Sequence, residues 1–370
     1  MSMRRTDFVT DISKPITGSY RASDCQFLLR PIEACFTDVI EKERMIQSGK
    51  RHYSEMISRE WAPPERYRAL FKSLTARYKA RLATEILVLA QYIVATRPAP
   101  ITIVSLARAG TPFGALLQRA LTEVFTVDST HYSISIIRDR GIDTEALRYI
   151  LRVARRPAAG VLFADAWTAK GVITREFKAA IKAWNLRESE QLSDELYVIS
   201  DIGGTADVAA TDEDYAIPSG ILNATVSGLI SRSILNEEVG ECGFHGCVVY
   251  DDLRGHDLTN WFLDEISTAF AGAASGYPLR FVAKEDRAAR SRAWVACWMA
   301  RYGVKDVNYI KPGIAEATRV MLRRVPGRLL LRDPTSSDVE HLRVLAEEKS
   351  IPIDIEPEMP FNAAAFIKVT

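Results

Sequence analysis

The sequence predicts an α/β fold, in which an open, mostly parallel sheet is flanked by helices and followed by a small C-terminal α/β module. Strand-like apolar runs alternate with helical patterns between residues 101 and 200, and such alternation requires crossovers between parallel strands. A second, shorter alternation begins near residue 308. With 370 residues, of which 47% are hydrophobic and 26% charged, the chain can fill one large core or two moderate ones.

The larger part begins with about 60 residues of little periodicity, which we expect to form ordered loops and short helices, with Pro63 and Pro64 as a break. Apolar residues in three-and-four spacing then predict one long helix from Arg66 to Thr96. The alternating segment follows. Its predicted strands are Ile101–Leu106, Tyr132–Ile137, Val161–Ala164 and Leu196–Ser200, and its predicted helices are Pro112–Val124, Thr144–Ala154 and Val172–Trp184.

An amphipathic stretch, Leu258–Ala274, leads to a predicted hinge at Ser275–Pro278 and then to a charged helix. We therefore expect one domain over residues 1–275, with its core at about 96–240, and a module over residues 290–370. The predicted elements of the module are helices Ile314–Arg324 and Ser337–Lys349, a strand at Arg328–Leu331, and short strands near Ile351–Ile355 and Ala365–Val369.

Composition limits the classes of function. Forty-eight basic and 47 acidic residues leave a formal charge of +1, so no overall field attracts nucleic acid or an anionic membrane. No apolar stretch is long enough to span a bilayer and no signal core is visible, so we expect a cytoplasmic protein; the sequence leaves a homo-oligomer open. Five cysteines without a CxxC motif predict reduced thiols; Cys242, His245 and Cys247 do not make a convincing zinc site.

The segment Val161–Thr174 reads as a buried strand, a short loop and a helix start. Asp165 is expected at the carboxyl end of the strand, where open α/β sheets bind ligands. The backbone N–H groups of Ala166 to Gly171 would then wrap a phosphate at the helix N-terminus. The residues expected to bind it are Thr168, Ala169, Lys170, Gly171 and Thr174. A carboxylate beside an anion cradle suits a ribose hydroxyl next to a 5-phosphate.

A second strand ends in a similar way. Arg108, Ala109, Gly110 and Thr111 stand between the strand Ile101–Leu106 and a helix with Pro112 in its first turn, so N–H groups, a guanidinium and a hydroxyl could converge on one anion. Between the two loops, Arg138 and Arg140 flank an acidic residue before a glycine. They could neutralise a departing pyrophosphate, or they could equally lie on a solvated hairpin tip.

Other candidates are less specific. Asn223 and Ser227 lie in a polar run that could face a cleft or could merely cap and pack helices. His52, His131 and His245 are candidates for acid–base work if they reach the same cleft. For a thiol protease the best set is Cys25 with His52 or His245, although Cys25 reads more readily as a buried small hydrophobe.

These segments, in this order, resemble a family found with tellurium-resistance gene clusters, whose members are known both as phosphoribosyltransferase-like proteins and as StiP-like cysteine proteases. Its signature blocks are similar to GSYRASDCQFLLRPI, HYSEMIS, SLARAGTP, HYSISIIRDRGID, FADAWTAKGVI, the run Asp214–Ser233 and FHG. The segment Ile310–Pro326 is similar to the pelota-like RNA-binding module that ends many members. The resemblance covers nearly the whole chain.

The resemblance implies a type I phosphoribosyltransferase fold and an enzyme that uses phosphoribosyl pyrophosphate, or runs the reverse reaction on a nucleotide-like metabolite. It assigns Arg108 to Thr111 to pyrophosphate, Asp165 to the ribose hydroxyls with Mg²⁺, Thr168 to Gly171 and Thr174 to the 5-phosphate, and Arg138 and Arg140 to the leaving group. The chain departs from the usual motif, because Ala166 replaces the second acidic residue and Lys170 replaces a hydroxyl or small residue. That departure favours the alternative of a non-catalytic nucleotide- or RNA-binding stress protein.

The C-terminal module carries a cluster of basic residues without an aromatic platform for base stacking. Arg319 and Arg323 share one helical face, where RNA phosphates could bind. The same residues could instead bind a nucleotide-like ligand or cover the main cleft. The sequence leaves these alternatives open.

Overall fold

The computed structural model describes residues 14–33, 35–237, 239, 243–273 and 284–369. Within them the strands are β1 (Gln26–Leu28), β2 (Arg30–Pro31), β3 (Ile101–Ala107), β4 (Ser129–Ile137), β5 (Gly141–Ile142), β6 (Val161–Thr168), β7 (Leu196–Asp201), β8 (Val208–Thr211), β9 (Gly246–Cys247), β10 (Ile310–Pro312), β11 (Pro326–Leu331), β12 (Ile353–Ile355) and β13 (Ala363–Ile367). The α-helices are α1 (Val39–Gln47), α2 (Glu65–Thr96), α3 (Gly110–Arg119), α4 (Thr144–Arg148), α5 (Val172–Arg187), α6 (Thr259–Ser267), α7 (Lys284–Tyr302), α8 (Ile314–Arg323) and α9 (Glu340–Glu348).

The larger sheet has the strand order β1-β4-β3-β6-β7-β8, and every neighbouring pair along this path is parallel. β5 pairs with β4 in the antiparallel sense and forms the hairpin that one reading of the sequence allowed. The central strands are apolar along their length and buried on both faces, as covered parallel sheets require.

Helices cover both faces of this sheet. On one face, α2, α3 and α6 pack in a core that includes Phe71, Ile86 and Phe113. On the other face, α4 and α5 pack in a second core around Phe163, Phe177 and Trp184. Because both faces are closed, ligands can reach the sheet only at its edges or at the ends of its strands.

The C-terminal module is built on a four-stranded sheet with the order β10-β13-β11-β12. α8 and α9 pack on one face, where Val320 and Leu342 join the core of the larger part. α7 covers the other face through Val295 and Trp298. The module is therefore continuous with the large sheet through a shared apolar core.

The predicted α/β architecture with a mostly parallel sheet and flanking helices is confirmed. One boundary matters for function. β6 continues to Thr168 instead of ending at Ala164, because Asp165, Trp167 and Thr168 still pair with β7. β1 and β8 were missed, since short strands without clear alternation carry little signal.

The predicted hinge Ser275–Pro278 lies outside the described residues, and the division of the chain at 275 and 290 stays a prediction. None of the helices within the described ranges combines the length and the apolar composition that a bilayer span requires.

Candidate functional site

A cleft lies between the carboxyl end of the large sheet and α8 of the C-terminal module. It consists of two adjoining cavities of about 440 and 260 Å³ that share, among other residues, Asp165, Tyr53 and Arg319. Cavities of this size are typical of sites for small molecules. The predicted residues Arg108, Ala109, Arg138, Asp165, Thr168, Ala169, Lys170, Gly171 and Thr174 line one or both of them.

Asp165 is the carboxylate at the centre of the cleft. Its Oδ1 accepts a hydrogen bond of 2.8 Å from the backbone N–H of Ala166. Burial raises the pKa of Asp165 to about 7, against the opposing effect of Arg319. The side chain is therefore close to half-protonated at neutral pH, which makes it a group able to give or accept a proton.

Two glycines permit the close approaches on which the cleft depends. A Cβ at Gly110 would meet the carbonyl oxygen of Ala164 at 2.6 Å, so only glycine lets the start of α3 approach β6. Gly171 has φ = 69° and precedes α5, and a Cβ there would meet Thr205 at 2.6 Å. The sequence predicted a close approach at Gly171 and a glycine turn at Gly110.

Arg108 is committed to the protein's own groups. Its guanidinium donates to both carboxylate oxygens of Glu60, with Nη2–Oε1 at 2.8 Å, and to the carbonyl oxygen of Ile230 at 2.7 Å. Although burial raises the pKa of Glu60, Arg108 and Arg323 outweigh it and lower the pKa to about 2. The ion pair holds the segment before α2 against the start of α3.

The predicted hydroxyl donors also bond internally. Thr111 Oγ1 lies 2.7 Å from Ser133 Oγ, and Thr168 Oγ1 donates to Asp201. Thr174 Oγ1 is 3.5 Å from Thr205 Oγ1, at the limit of a hydrogen bond. These three hydroxyls therefore stabilise the fold of the loops.

Lys170 and Trp167 join the cleft to the C-terminal module. Lys170 Nζ donates to the carbonyl oxygens of Val307 and, at 2.6 Å, Ile310. Burial, with Lys311 nearby, lowers the pKa of Lys170 to about 7. Trp167 Nε1 donates to Glu316 at 3.3 Å, and the Arg319 guanidinium lies 4.8 Å from its ring centroid. The module thus forms one wall of the cleft.

Arg138 and Arg140 do not act on one ligand in this arrangement. Arg138 lines the larger cavity of the cleft and covers the ring of Tyr53 at 5.1 Å. Arg140 points into a different groove, where it donates to Glu55 and to the carbonyl oxygen of Leu235. The two arginines stand on either side of Asp139 (φ = 66°) at the tip of the β4–β5 hairpin, and the turn sends their side chains apart.

Asn223 and Ser227 lie away from Asp165, in a small cavity of about 20 Å³ beside Arg108 and Arg323. Asn223 Oδ1 caps a short turn by accepting from the backbone N–H of Thr225, and Ser227 Oγ donates to the carbonyl oxygen of Asn223. Asn223 and Ser227 therefore cap and pack local turns, which is one of the two roles that the sequence left open.

The described residues contain no group of three or more His, Cys, Asp or Glu side chains able to hold a metal ion. Asp165 is a single carboxylate whose raised pKa and neighbouring Arg319 both disfavour a cation. Mg²⁺ usually binds one or two carboxylates together with substrate phosphates, so a bound phosphate would have to supply most ligands here. The predicted Mg²⁺ site on Asp165 stays a prediction.

Sequence reasoning missed Lys42 and Tyr53, which the N-terminal segment brings to the cleft, and Glu60, which binds Arg108. They lie in a stretch without helical or strand periodicity, which gives no indication of what its side chains face. The only visible signal was the density of polar and aromatic residues between His52 and Trp61.

A second, more open groove of about 1220 Å³ lies beyond the hairpin and is lined by His245, Asp143 and Arg140, among others. The ring of His245 is fixed by Nδ1, 2.7 Å from Ser135 Oγ, and its backbone N–H donates to Asp143 Oδ2 at 2.7 Å. Burial lowers the pKa of His245, although Asp143 opposes this, so the imidazole is neutral at pH 7.

The predicted pairing of Cys25 with His52 or His245 is not found. Cys25 precedes β1, whose register with β4 places it opposite His131, and the ring of His131 bonds to the carbonyl oxygen of Asp24 and to Ser105. Burial raises the pKa of Cys25 and lowers that of His131 to about 4. Neither group is therefore charged at neutral pH in this arrangement. Cys242 lies outside the described residues.

Comparisons with known proteins agree on one family. Residues 18–267 match the model of a family described as tellurite-like stress resistance cysteine protease StiP. Residues 289–369 match the PELOTA RNA binding domain. The chain is 37% identical over 383 aligned positions to the cysteine protease StiP of Acinetobacter baylyi, with 100% of this chain and 99% of that protein covered.

Solved structures give a much weaker likeness. An asparagine mutant of an invariant aspartic acid in an HPRT is 18% identical, with a TM-score of 0.27, over 36% of this chain and 75% of that chain. The hypoxanthine phosphoribosyltransferase of Trypanosoma cruzi is 16% identical, with a TM-score of 0.24, over 50% of this chain and 85% of that chain. TM-scores this low support no argument about the function of the chain.

The predicted phosphoribosyltransferase, with its glycosyltransferase class, was wrong, because the matching family and the full-length relative are both named as cysteine proteases. The prediction rested on loops whose polar groups are in fact used internally, such as Arg108 with Glu60 and Thr168 with Asp201. The expected links to tellurium-related stress and to a pelota-like module fit the comparisons. The chain belongs to the StiP family of tellurite-like stress resistance proteins, with a PELOTA domain at its C-terminal end.

Proposed function

We propose that the protein is a cysteine protease of a tellurite-like stress response. The observation that carries this proposal is the 37% identity to the cysteine protease StiP of Acinetobacter baylyi over the full length of both chains. The similarity covers the N-terminal segment, the loops and the C-terminal module alike. The relative's name as a cysteine protease therefore cannot be attributed to a domain that this chain lacks.

The open groove of about 1220 Å³ supports this function as a place for an extended peptide. We assign the role of general base to His245, which lies in the wall of this groove. Ser135 holds its Nδ1, while Nε2 makes no hydrogen bond within the described part of the chain. A neutral imidazole with one nitrogen fixed and the other without a partner suits removal of a proton from a thiol.

The nucleophile of the proposal is a cysteine close to His245 in sequence. Cys247 follows it by two residues on β9, and Cys242 precedes it by three residues, outside the described ranges. Burial raises the pKa of Cys247 to about 12, so this thiol would need both the base and a local opening to react. The runner-up is Cys25 with His131, both of which are buried.

The experiment measures cleavage of an unfolded protein substrate by the purified chain before and after treatment with iodoacetamide. We expect alkylation to abolish cleavage and His245→Gln to lower the rate by about 100-fold or more. His256→Gln, outside the groove, is the matched control and should leave the rate unchanged. Cysteine-to-serine variants at each of the five positions then identify the thiol.

Cleavage that survives both alkylation and His245→Gln would contradict the proposal. Loss of cleavage on Cys25→Ser with full activity of Cys242→Ser and Cys247→Ser would move the site to Cys25 and His131. Circular dichroism of each variant separates loss of chemistry from loss of folding.

The PELOTA match also supports RNA as a partner of the C-terminal module. Of the basic residues expected to bind it, Arg319 and Arg323 line the internal cleft. We therefore place the proposed RNA contact on the module's other basic groups, such as the exposed Arg332 and Arg343. Type I phosphoribosyltransferase topology for the large sheet and a cytoplasmic location remain part of the proposal.

A further inference from the structure

The smaller cavity of the cleft contains far more positive than negative charge. Seven basic side chains line it, whereas Asp165 and Glu316 are its only acidic lining residues within the described ranges. The basic groups come from four parts of the chain: α1, the start of α3, the segment before β9, and the C-terminal module. No single sequence motif unites them.

Nearby carboxylates neutralise only part of this charge. Arg108 pairs with Glu60, Arg324 with Glu43, and Arg319 with Glu316. Lys311 Nζ is 3.9 Å from Glu316, a carboxylate that already holds Arg319. The remaining basic groups share these acids or have none.

Arg323 and Arg232 illustrate this shortage of neutralising carboxylates. Arg323 Nε lies 3.6 Å from Glu60, which already binds Arg108, and this Nε has no hydrogen-bond partner within the described residues. Arg232 donates only to backbone carbonyl oxygens, among them Tyr53 at 2.6 Å. A guanidinium bound to carbonyl groups keeps its full charge.

Lys42 is the clearest case. Its side chain on α1 is only 6% exposed, it lines the cavity, and it makes no hydrogen bond or ion pair with any described residue. Burial, with Arg232 and Arg324 nearby, lowers the pKa of Lys42 to about 7. A buried, unpaired ammonium next to arginines is costly, and a fold retains such an arrangement where a ligand completes it.

We propose that this cavity binds the phosphate group of a small phosphorylated metabolite, held by Lys42, Arg232, Arg319 and Arg323. A multiply charged phosphate supplies the acceptor oxygens and the negative charge that Lys42 and Arg232 lack, and it adds to the shared carboxylates beside Arg319 and Arg323. The adjoining larger cavity, with Tyr53, Trp167 and Tyr309 in its walls, accommodates the rest of the metabolite. The site is independent of the groove around His245, and the C-terminal module supplies two of the four proposed phosphate ligands, Arg319 and Arg323.

The size of the two cavities favours a small molecule over a nucleic acid. The two cavities measure about 260 and 440 Å³, and α8 of the module closes one side. A backbone of successive phosphates needs an open track along the surface, whereas a single phosphate group needs a chamber of this kind.

The test uses inorganic pyrophosphate as the probe, with the full-length protein, at constant ionic strength. We expect calorimetric binding and a rise in the thermal unfolding midpoint with pyrophosphate, but not with an equal ionic strength of chloride. Lys42→Met should weaken binding by about tenfold or more, because one charge-assisted hydrogen bond is lost. Lys182→Met, which removes an exposed lysine on α5, is the matched control and should bind as the wild type does.

Without ligand, Lys42→Met should raise the thermal unfolding midpoint, because the substitution removes a buried charge that has no partner. A scaffold role for Lys42 predicts a fall instead. Arg319→Met provides a second variant and should likewise weaken pyrophosphate binding.

Three results would overturn the proposal. The first is the absence of binding at millimolar pyrophosphate. The second is an equal loss of pyrophosphate affinity in Lys42→Met and Lys182→Met. The third is tight binding of an RNA oligonucleotide that Lys42→Met weakens, while pyrophosphate neither binds nor competes.

Discussion

Arg108 and Glu60 form a buried, bidentate ion pair that links the start of α3 to the segment before α2. The backbone N–H of Ala224 also donates to Glu60, at 2.8 Å, and Arg323 of the C-terminal module approaches it. One carboxylate thereby connects the sheet, the loop after β8 and the module. The sequence of the loop around Arg108 predicted an anion-binding site. In the structure the guanidinium of Arg108 instead binds Glu60 of the same chain.

Glu60→Gln should destabilise the fold by about 3 kcal/mol at pH 7, since it leaves Arg108 buried without its counter-charge. The pKa of Glu60 is lowered to about 2 from a usual 4.5, so its contribution is present above pH 4.5 and is lost as the pH falls towards 2. Urea unfolding of the wild type and the variant should therefore give curves that differ at pH 7 and converge in acid. Glu65→Gln, at an exposed pair with Arg68, should show no difference at either pH.

Asp165→Asn should stabilise the protein at alkaline pH. Because burial raises the pKa of Asp165 to about 7, the wild type loses stability as the pH rises from about 4 through 7, and asparagine avoids that loss. We expect a gain of about 2 kcal/mol at pH 9, reduced by water in the cleft, and none at pH 4. Asp128→Asn, at an exposed carboxylate, is the control; a variant less stable than the wild type at pH 9 would show that the charged form of Asp165 is needed.

Asp214→Ala should loosen the C-terminal module. Asp214 accepts hydrogen bonds from the backbone N–H groups of Ile314, at 2.9 Å, and Asn362, at 2.7 Å. Alanine leaves both amides unpaired, at a cost of about 2 to 4 kcal/mol, whereas asparagine keeps one acceptor and should cost less. Hydrogen exchange at the start of α8 is the measurement, and unchanged exchange there in Asp214→Ala would contradict the assigned role.

Alkylation should divide the described cysteines into two classes. Cys35 and Cys297 are exposed, whereas Cys25 and Cys247 are buried and burial raises the pKa of both thiols. Iodoacetamide at pH 8 should label the first pair within minutes and the second pair much more slowly, through local opening of the folded protein, as read by mass spectrometry. Rapid labelling of Cys247 in the folded protein would reveal an opening of β9 and would favour it as the nucleophile.

Local patterns were sufficient for much of the fold. The long helix α2 and the central alternation follow from periodicity, since apolar spacing reports directly on which face of an element is buried. Gly171 was recognised as a close-approach position for a similarly local reason, whereas the close approach at Gly110 was not predicted. The end of β6 was misplaced by four residues, because strand pairing with β7 depends on a neighbour that the local sequence does not display.

In the candidate site, too, some residues could be predicted from the local sequence and others could not. Asp165, Lys170 and Gly171 could be identified from sequence because they stand together in one short segment. Lys42, Arg232 and Arg323 could not, since they are separated by up to 281 residues and meet only in the folded chain. Arg138 and Arg140 were expected to cooperate from their spacing, but the turn at Asp139 directs them into different cavities.

The sequence by itself determined the class of fold, the order of the central elements, the C-terminal module and the family. Only the tertiary structure decided which charges are paired, which thiols are enclosed and which basic groups share a cavity. The physical reason is one of range: periodicity and turn chemistry act over a few neighbouring residues, whereas ion pairing and burial depend on side chains brought together from distant parts of the chain.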